Sequence, residues 1–295
     1  MSERLANYGG QAVIEGVMMR GSQVYAVAVR APDQAIRIET DRLGSLYRGR
    51  FAKLPLLRGL LILWDALVLG IRALTFSADV QAGDDGKIGV VPMTLTMLGS
   101  LGAGIALFFL LPAGIGYLSE SLLALNPWWA NLIEGIARLL LLIGYIWAIG
   151  RLPEIQRVFS YHGAEHMTIN AYEAGAPLEV ASVARFPLEH PRCGTAFLLT
   201  VAILSIVLFG LLGPLPLASR LVSRILLIPV VAALAYEYLR FTANFSGRPW
   251  ARPLLAPNLA LQRLTTRLPE DSMLEVAIAA FQAMRRGESG PATTT

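Results

Sequence analysis

Residues 128–149 read WWANLIEGIARLLLLIGYIWAI, and this stretch decides the class of the molecule. It opens on Trp128 and Trp129, whose rings suit a membrane–water interface, and then runs apolar except for Glu134 and Arg138. At 1.5 Å per residue, a helix of this length crosses a ~30 Å hydrocarbon core. Three more segments share the pattern. Residues 90–111 and 195–212 carry no charge, and residues 221–239 carry Arg224 and Glu237 near their two ends. None alternates as a barrel strand would, so all four read as helices.

Outward from these spans the arginines fix an orientation. Residues 1–53 carry eight Lys/Arg, residues 151–192 four and residues 240–286 seven, while residues 112–127 and 213–219 carry none. Four crossings beginning at residue 90 put every basic segment on the cytoplasmic side, with both termini there, as in a multi-pass protein of the bacterial inner membrane. Residues 54–76 form a fifth apolar segment with Arg58, Asp65 and Arg72 spaced by seven, one stripe on a helix. A fifth crossing would carry the eight N-terminal basic residues outside. This segment is therefore expected to lie along the cytoplasmic leaflet or dip into it, with Asp65 on the polar stripe.

Composition agrees. Of 295 residues 55% are hydrophobic and only 16% charged, against about a quarter charged in soluble domains. This excludes a purely soluble enzyme, a disordered chain and a nucleic-acid module built on a basic surface, the net charge being +4. A single cysteine, Cys193, excludes an internal disulfide framework. The first eight residues lack the apolar core of a cleaved signal peptide.

The expected fold is thus a predominantly α-helical integral membrane protein of four transmembrane helices plus one interfacial or re-entrant helix. A small antiparallel β element precedes it, since SQVYAVAVR (22–30) and AIRIET (35–40) run close to period two around the turn APDQ. Residues 1–53 form this element, 54–76 the interfacial helix, 90–242 the membrane part and 249–295 a cytosolic C-terminal part. There Pro249, Pro253 and Pro257 should break regular structure before amphipathic helices at 258–266 and 270–286, and 291–295 should be a disordered tail.

All three histidines, His162, His166 and His190, fall with Cys193 in the loop 151–194 between the second and third spans. Tyr161 to His166 reads YHGAEH. One helical turn and ~40° of azimuth separate His162 from His166, so both imidazoles can reach one ion. Glu165 beside them is placed to take a proton from water that the ion activates, as in the inverted zinc-protease motif H-x-x-E-H. His190 and Cys193 stand at H-x-x-C spacing, where Pro191 and Gly194 favour a turn. A His162, His166, His190, Cys193 quartet could close a tetrahedral site around a divalent cation, zinc by ligand type, or two or three of them could leave one position open.

Three further carboxylates are weaker candidates. Glu173 follows His166 by seven residues, ~10 Å along a helix and too far for the same ion. Glu237 sits at a compatible depth in the fourth span. Glu15, in GGQAVIEGVMMRG, would join the site if that glycine-rich hairpin caps it; the blander reading has the hairpin packing on the loop 151–194. Blander readings also exist for Glu165, as a partner of Arg157, for Glu134 and Arg138, as an i,i+4 ion pair facing another helix, and for Met18 and Met19, as packing residues.

The blocks GGQAVIEGVMMRG (9–21), SYHGAEHMTINAYEAG (160–175), HPRCGTAFLL (190–199) and LQRLTTRLPEDSMLEVAIAA (261–280) together resemble the YqhQ-like family of bacterial membrane proteins of unknown function. The resemblance covers nearly the whole chain. It implies a membrane protein often labelled a metal-dependent enzyme, with Glu15, His162, Glu165, His166, Glu173, His190 and Cys193 in its motif blocks. Three functions are then in play. The first is a metal-dependent hydrolase at the cytoplasmic membrane face, Glu165 its base. The second is an oligomeric channel or transporter whose Glu134, Arg138 and Glu237 line a polar route beside a structural metal clip. The third is a scaffold recruiting a protein partner through residues 258–286.

Overall fold

The computed structural model describes residues 8–44, 54–83, 90–245 and 248–289; the tail expected at 291–295 lies outside them. The chain opens with a four-stranded antiparallel meander of β1 (Gly9–Val13), β2 (Gly16–Arg20), β3 (Val24–Arg30) and β4 (Ile36–Arg42), in that spatial order. The glycine-rich motif is its first hairpin, with Val13 opposite Gly16 across a turn of Ile14 and Glu15. Alternation sends Val17, Met19, Ala26 and Ala28 to one face and Met18, Tyr25, Val27 and Val29 to the other, and both faces are covered. β4 is a charged edge, which suits a strand with an open side.

Helix α1 (Leu57–Ala82) covers the second face through Leu69 and Ala73. Its charged stripe is a docking device. Arg58 pairs with Glu237, Asp65 lies 3.6 Å from Arg20 of β2, and Arg72 lies 3.9 Å from Asp41 of β4. The first face is covered by α5 (Pro153–Glu173) and α11 (Asp271–Ser289), with Tyr161, Met167, Phe281 and Met284 fully buried against the sheet. Each such large side chain contributes roughly 1.5–3 kcal/mol of burial.

The apolar helices are α2 (Val90–Ile105), a π-helical segment (Ala106–Leu110), α3 (Leu111–Leu123), α4 (Pro127–Ile149), α7 (Ala196–Gly210), α8 (Leu217–Leu226) and α9 (Ile228–Asn244). A short α6 (Val180–Val183) lies in the loop after α5, and α10 (Arg252–Thr265) precedes α11. Among the described residues three continuous helices are long and apolar enough to cross a membrane, Leu57–Ala82, Thr94–Leu123 and Pro127–Ile149, or four with α8 and α9 taken as one bent span.

Several boundaries differ from the sequence reading. The segment expected to end at 111 continues to Leu123, because the π-helical segment accommodates Pro112. Proline cannot donate to the carbonyl four residues back, that of Phe108, and its ring crowds the preceding turn. The wider turn leaves that carbonyl open, and Arg138 Nε donates to it at 2.9 Å. The third segment is only the 15 residues of α7, about 22 Å long. The fourth is bent by 45° between α8 and α9, where Pro229 starts a new helix. Pro253 and Pro257 do not break α10. Pro253 is its second residue, where a backbone donor has little to lose, whereas Pro257 lies inside the helix and forfeits one helical bond without ending it.

Within this bundle Glu134 accepts from two arginines. Arg138 donates at 2.9 Å and Arg224 makes two bonds of 2.8 Å, with both guanidinium groups against the Phe209 ring. Arg220 of α8 pairs with Glu120 at 2.6 Å. The Glu134–Arg138 pair expected to face another helix does so, and α8 supplies the third member.

Candidate metal centre

α5 starts on Pro153, a residue preorganised for a helical first turn, and buries every residue from Tyr161 to Ile169 between the sheet, α11 and the loop ahead of α7. That places His162, Glu165 and His166 on faces that meet Cys193 of the turn following His190. His162, His166 and Cys193 each offer a ligand atom within 4.8 Å of the others. His162 Nε2 lies 3.2 Å from Cys193 Sγ, and Glu165 Oε2 lies 3.8 Å from His162 Nε2 and 3.9 Å from His166 Nε2. Tetrahedral coordination with bonds of 2.0–2.3 Å has ligand–ligand edges of roughly 3.3–3.8 Å, and the His162–Cys193 pair at 3.2 Å lies close to that range.

The backbone fixes the histidine tautomers. His162 Nδ1 stands 2.9 Å from the Thr265 carbonyl, and His166 Nδ1 bonds the Leu188 carbonyl. A carbonyl only accepts, so each Nδ1 carries the proton and each Nε2 presents a lone pair inward. This arrangement recurs behind metal-bound histidines. His166 Nε2 is buried with no hydrogen-bond partner, an orphan that a cation would satisfy. Cys193 Sγ is held by the Thr195 hydroxyl at 3.1 Å and the Thr195 N–H at 3.4 Å.

Glu165 is fully buried, and burial pushes its carboxyl up to about 7 against the pull of His162 and the Gly10 N–H. Gly10 must be glycine, since a Cβ there would stand 2.8 Å from Glu165 Cγ and 2.9 Å from Oε1. Gly163 is equally constrained, because its Cβ would come within 2.2 Å of the Arg267 carbonyl.

His190 does not join the other three, so the expected quartet is a trio. The Gln262 amide clamps its backbone, accepting from His190 N–H and donating to its carbonyl, both at 2.9 Å. Its Nε2 points to Glu173 at 3.6 Å, just past hydrogen-bond length, and its ring centroid is 5.8 Å from that of His166. Burial lowers the His190 pKa and Glu173 only partly restores it. Burial likewise raises Glu173, but His190 and Arg192 outweigh it and leave the carboxyl below its ordinary value. Glu173 is thus a bridge between His190 and Arg192, and not a fourth ligand.

The other candidate carboxylates are elsewhere. Glu237 is bound by Arg58 Nε at 2.7 Å on the α1–α9 contact. Glu15 sits in the hairpin turn with φ 52°, accepting from Arg157 at 2.5 and 2.6 Å and from Tyr161 at 3.2 Å. Arg157 is therefore the partner of Glu15 and not of Glu165. The hairpin does reach the site, through Gly10 of β1 instead of Glu15. The Thr265 and Leu188 carbonyls and the Gln262 amide had no signal of their own in the sequence, although Gln262 and Thr265 lie in the last resemblance block.

A cavity of about 570 Å³ opens beside His162 and extends between α4 and α7 to Arg138. Thr195 and Thr265 flank its His162 end, and Gln11, Phe108, Leu142 and Val201 also line it.

The chain matches the family model described as "Protein of unknown function (DUF1385)" over residues 54–286. It is 34% identical over 298 residues to the uncharacterized protein YqhQ of Bacillus subtilis (strain 168), covering 96% of this chain and 93% of that protein. No solved structure matches it. The extent of these matches, through both the helical bundle and the histidine cluster, means that the chain belongs to the DUF1385 family of proteins of unknown function.

Proposed function

We propose that the chain is an integral membrane hydrolase of the bacterial inner membrane that uses one divalent cation, zinc by donor type, held by His162, His166 and Cys193. One observation carries this reading: two imidazoles with backbone-anchored Nδ1 atoms aim both Nε2 atoms at one thiol and one carboxylate. A cation bound there would polarise a scissile bond and acidify a water molecule. Glu165 holds that water's proton as general base, oriented by the Gly10 N–H. The cavity at His162 gives a substrate access, which supports an open catalytic site over a closed structural one.

In this reading α2–α3, α4, α7 and the bent α8–α9 are in the membrane, and the sheet, α5, α10, α11 and both termini are cytoplasmic, in keeping with the positive-inside rule. α1 starts beside Tyr236 and Glu237 of α9 and ends on the sheet. Only its first half is then available to the bilayer, about 18 Å and too short to cross. The burial and full pairing of Glu134 and Arg138, and the commitment of α11's apolar face to the sheet, favour the hydrolase over a pore or a scaffold.

Metal analysis of the purified protein tests the site. About one ion per chain is expected in the wild type and a small fraction of that in His162→Ala and His166→Ala. Cobalt exchanged into the protein should show a thiolate charge-transfer band that Cys193→Ser abolishes. Glu165→Gln should keep the ion and lose turnover of acyl ester or peptide substrates presented in detergent. A Glu165→Gln protein that is fully active, or that loses its ion, removes Glu165 as the base.

A further inference from the structure

We infer that the cavity beside His162 receives one acyl chain of a membrane phospholipid, which enters sideways between α4 and α7 with its polar end toward His162. This deepens the hydrolase reading and rests on it, naming the substrate as a membrane amphiphile.

The size is that of a chain. At ~30 Å³ per water-sized group, 570 Å³ holds roughly nineteen methylene-sized groups. The walls are hydrocarbon: Phe108, Leu142, Ile146, Val201 and Ala202 line the length. Arg138, the one charged residue of the lining, is turned to partners in the helical bundle. Each of its three nitrogens already donates within the bundle, to the Phe108 carbonyl, the Ser205 hydroxyl and Glu134. A polar metabolite would find few groups to bond along this length, and burying it there largely unpaired would be costly.

A group of polar residues lies at the other end, where His162 Nδ1 stands 2.9 Å from the Thr265 carbonyl and Thr195 also lines the cavity. The cavity therefore has the polarity of an amphiphile. Its rim carries Tyr145 and Leu198, 45% and 49% exposed on the outer surfaces of α4 and α7, the surfaces that face lipid in the proposed arrangement. An apolar chamber that communicates with the bilayer takes up lipid chains in preference to water.

Photocrosslinking tests this. The full-length protein is placed in phosphatidylethanolamine/phosphatidylglycerol nanodiscs doped with phosphatidylglycerol carrying a diazirine in its palmitoyl chain. After irradiation, adducts are mapped and bound metal is measured on the same samples. Adducts are expected on Leu142 and Val201 inside the cavity as well as on the outward-facing Leu140 and Val207. Filling the chamber with Ala202→Phe should cut the inner adducts by about tenfold and leave the outer ones unchanged. Ala202→Leu, a smaller filler, covers the case in which the phenylalanine variant does not fold. Wild-type adducts confined to the outer positions, or inner adducts undiminished in a folded filled variant, overturn the proposal. A metal-loaded protein without inner adducts defeats the chain assignment and leaves the hydrolase reading standing. Inner adducts on a protein that binds no metal defeat the hydrolase reading, and with it the assignment of the chain as part of a substrate.

Discussion

Glu15 shows how far a motif residue's role depends on its surroundings. Its positive φ is uncommon for a residue with a side chain, and the hairpin turn that imposes it aims the carboxylate at Arg157, on the surface of α5 and off the metal centre. The Arg157 guanidinium pulls the Glu15 carboxyl below its ordinary range, with Tyr161 and Arg30 helping and burial opposing. A lowered folded-state pKa gives stability that is present above the unfolded value and lost as pH falls through the folded one. The hairpin should therefore loosen from α5 as pH falls below the ordinary glutamate value of about 4.5. Hydrogen exchange of β1 and β2 amides should report this in the wild type, and Glu15→Gln should flatten that part of the pH response. A Glu15→Gln profile identical to the wild type would remove the pair from the account. His162 and His166 were legible at this scale, since i,i+4 spacing alone puts two imidazoles on one side of a helix. His190 was not, because its distance from the trio is set by a glutamine seventy-two positions away.

At the scale of elements, the helical bundle is organised around charges that the sequence displays without their partners. Glu134 and Arg138 were readable as a pair one helical turn apart, whereas Arg224 and the Phe108 carbonyl join through packing of α8 and of the π-helical segment. Removing the carboxylate strands two buried guanidinium groups. Glu134→Leu should thus cost about 3–5 kcal/mol, and the triple variant Glu134→Leu/Arg138→Leu/Arg224→Leu should recover most of that. Thermal unfolding in detergent measures both, and a triple variant less stable than the single one would mean that the cluster is worth more than its desolvation. Pro112 explains why the segment 90–111 was drawn too short. An isolated proline reads as a stop, and only the wider π turn together with an arginine from α4 turns it into a continuation. In α1 the heptad stripe was visible as a stripe, but its three partners lie on α9, β2 and β4.

Across the whole molecule, the C-terminal segment couples the sheet to the candidate metal centre. α11 covers one sheet face, the Arg267 N–H bonds the Phe159 carbonyl of α5 at 3.0 Å, and the Thr265 carbonyl holds His162. Truncation after residue 268 should therefore expose Val17, Met19, Ala26 and Ala28 and lower metal occupancy together, although every proposed ligand is retained. Limited proteolysis of the sheet and metal analysis of the same sample check the coupling, and a truncated protein with full occupancy would refute it. The sequence alone determined the apolar helices, the small sheet and the stretch that carries the chemistry, because periodicity and charge depletion are local properties of a chain. Tertiary structure alone decided that three candidate ligands gather and His190 turns aside, that Gly10 and not Glu15 brings the hairpin to the site, and that a hydrocarbon-walled chamber ends at His162. Those outcomes depend on which surfaces meet between segments tens of residues to more than a hundred residues apart, and no local pattern encodes such meetings.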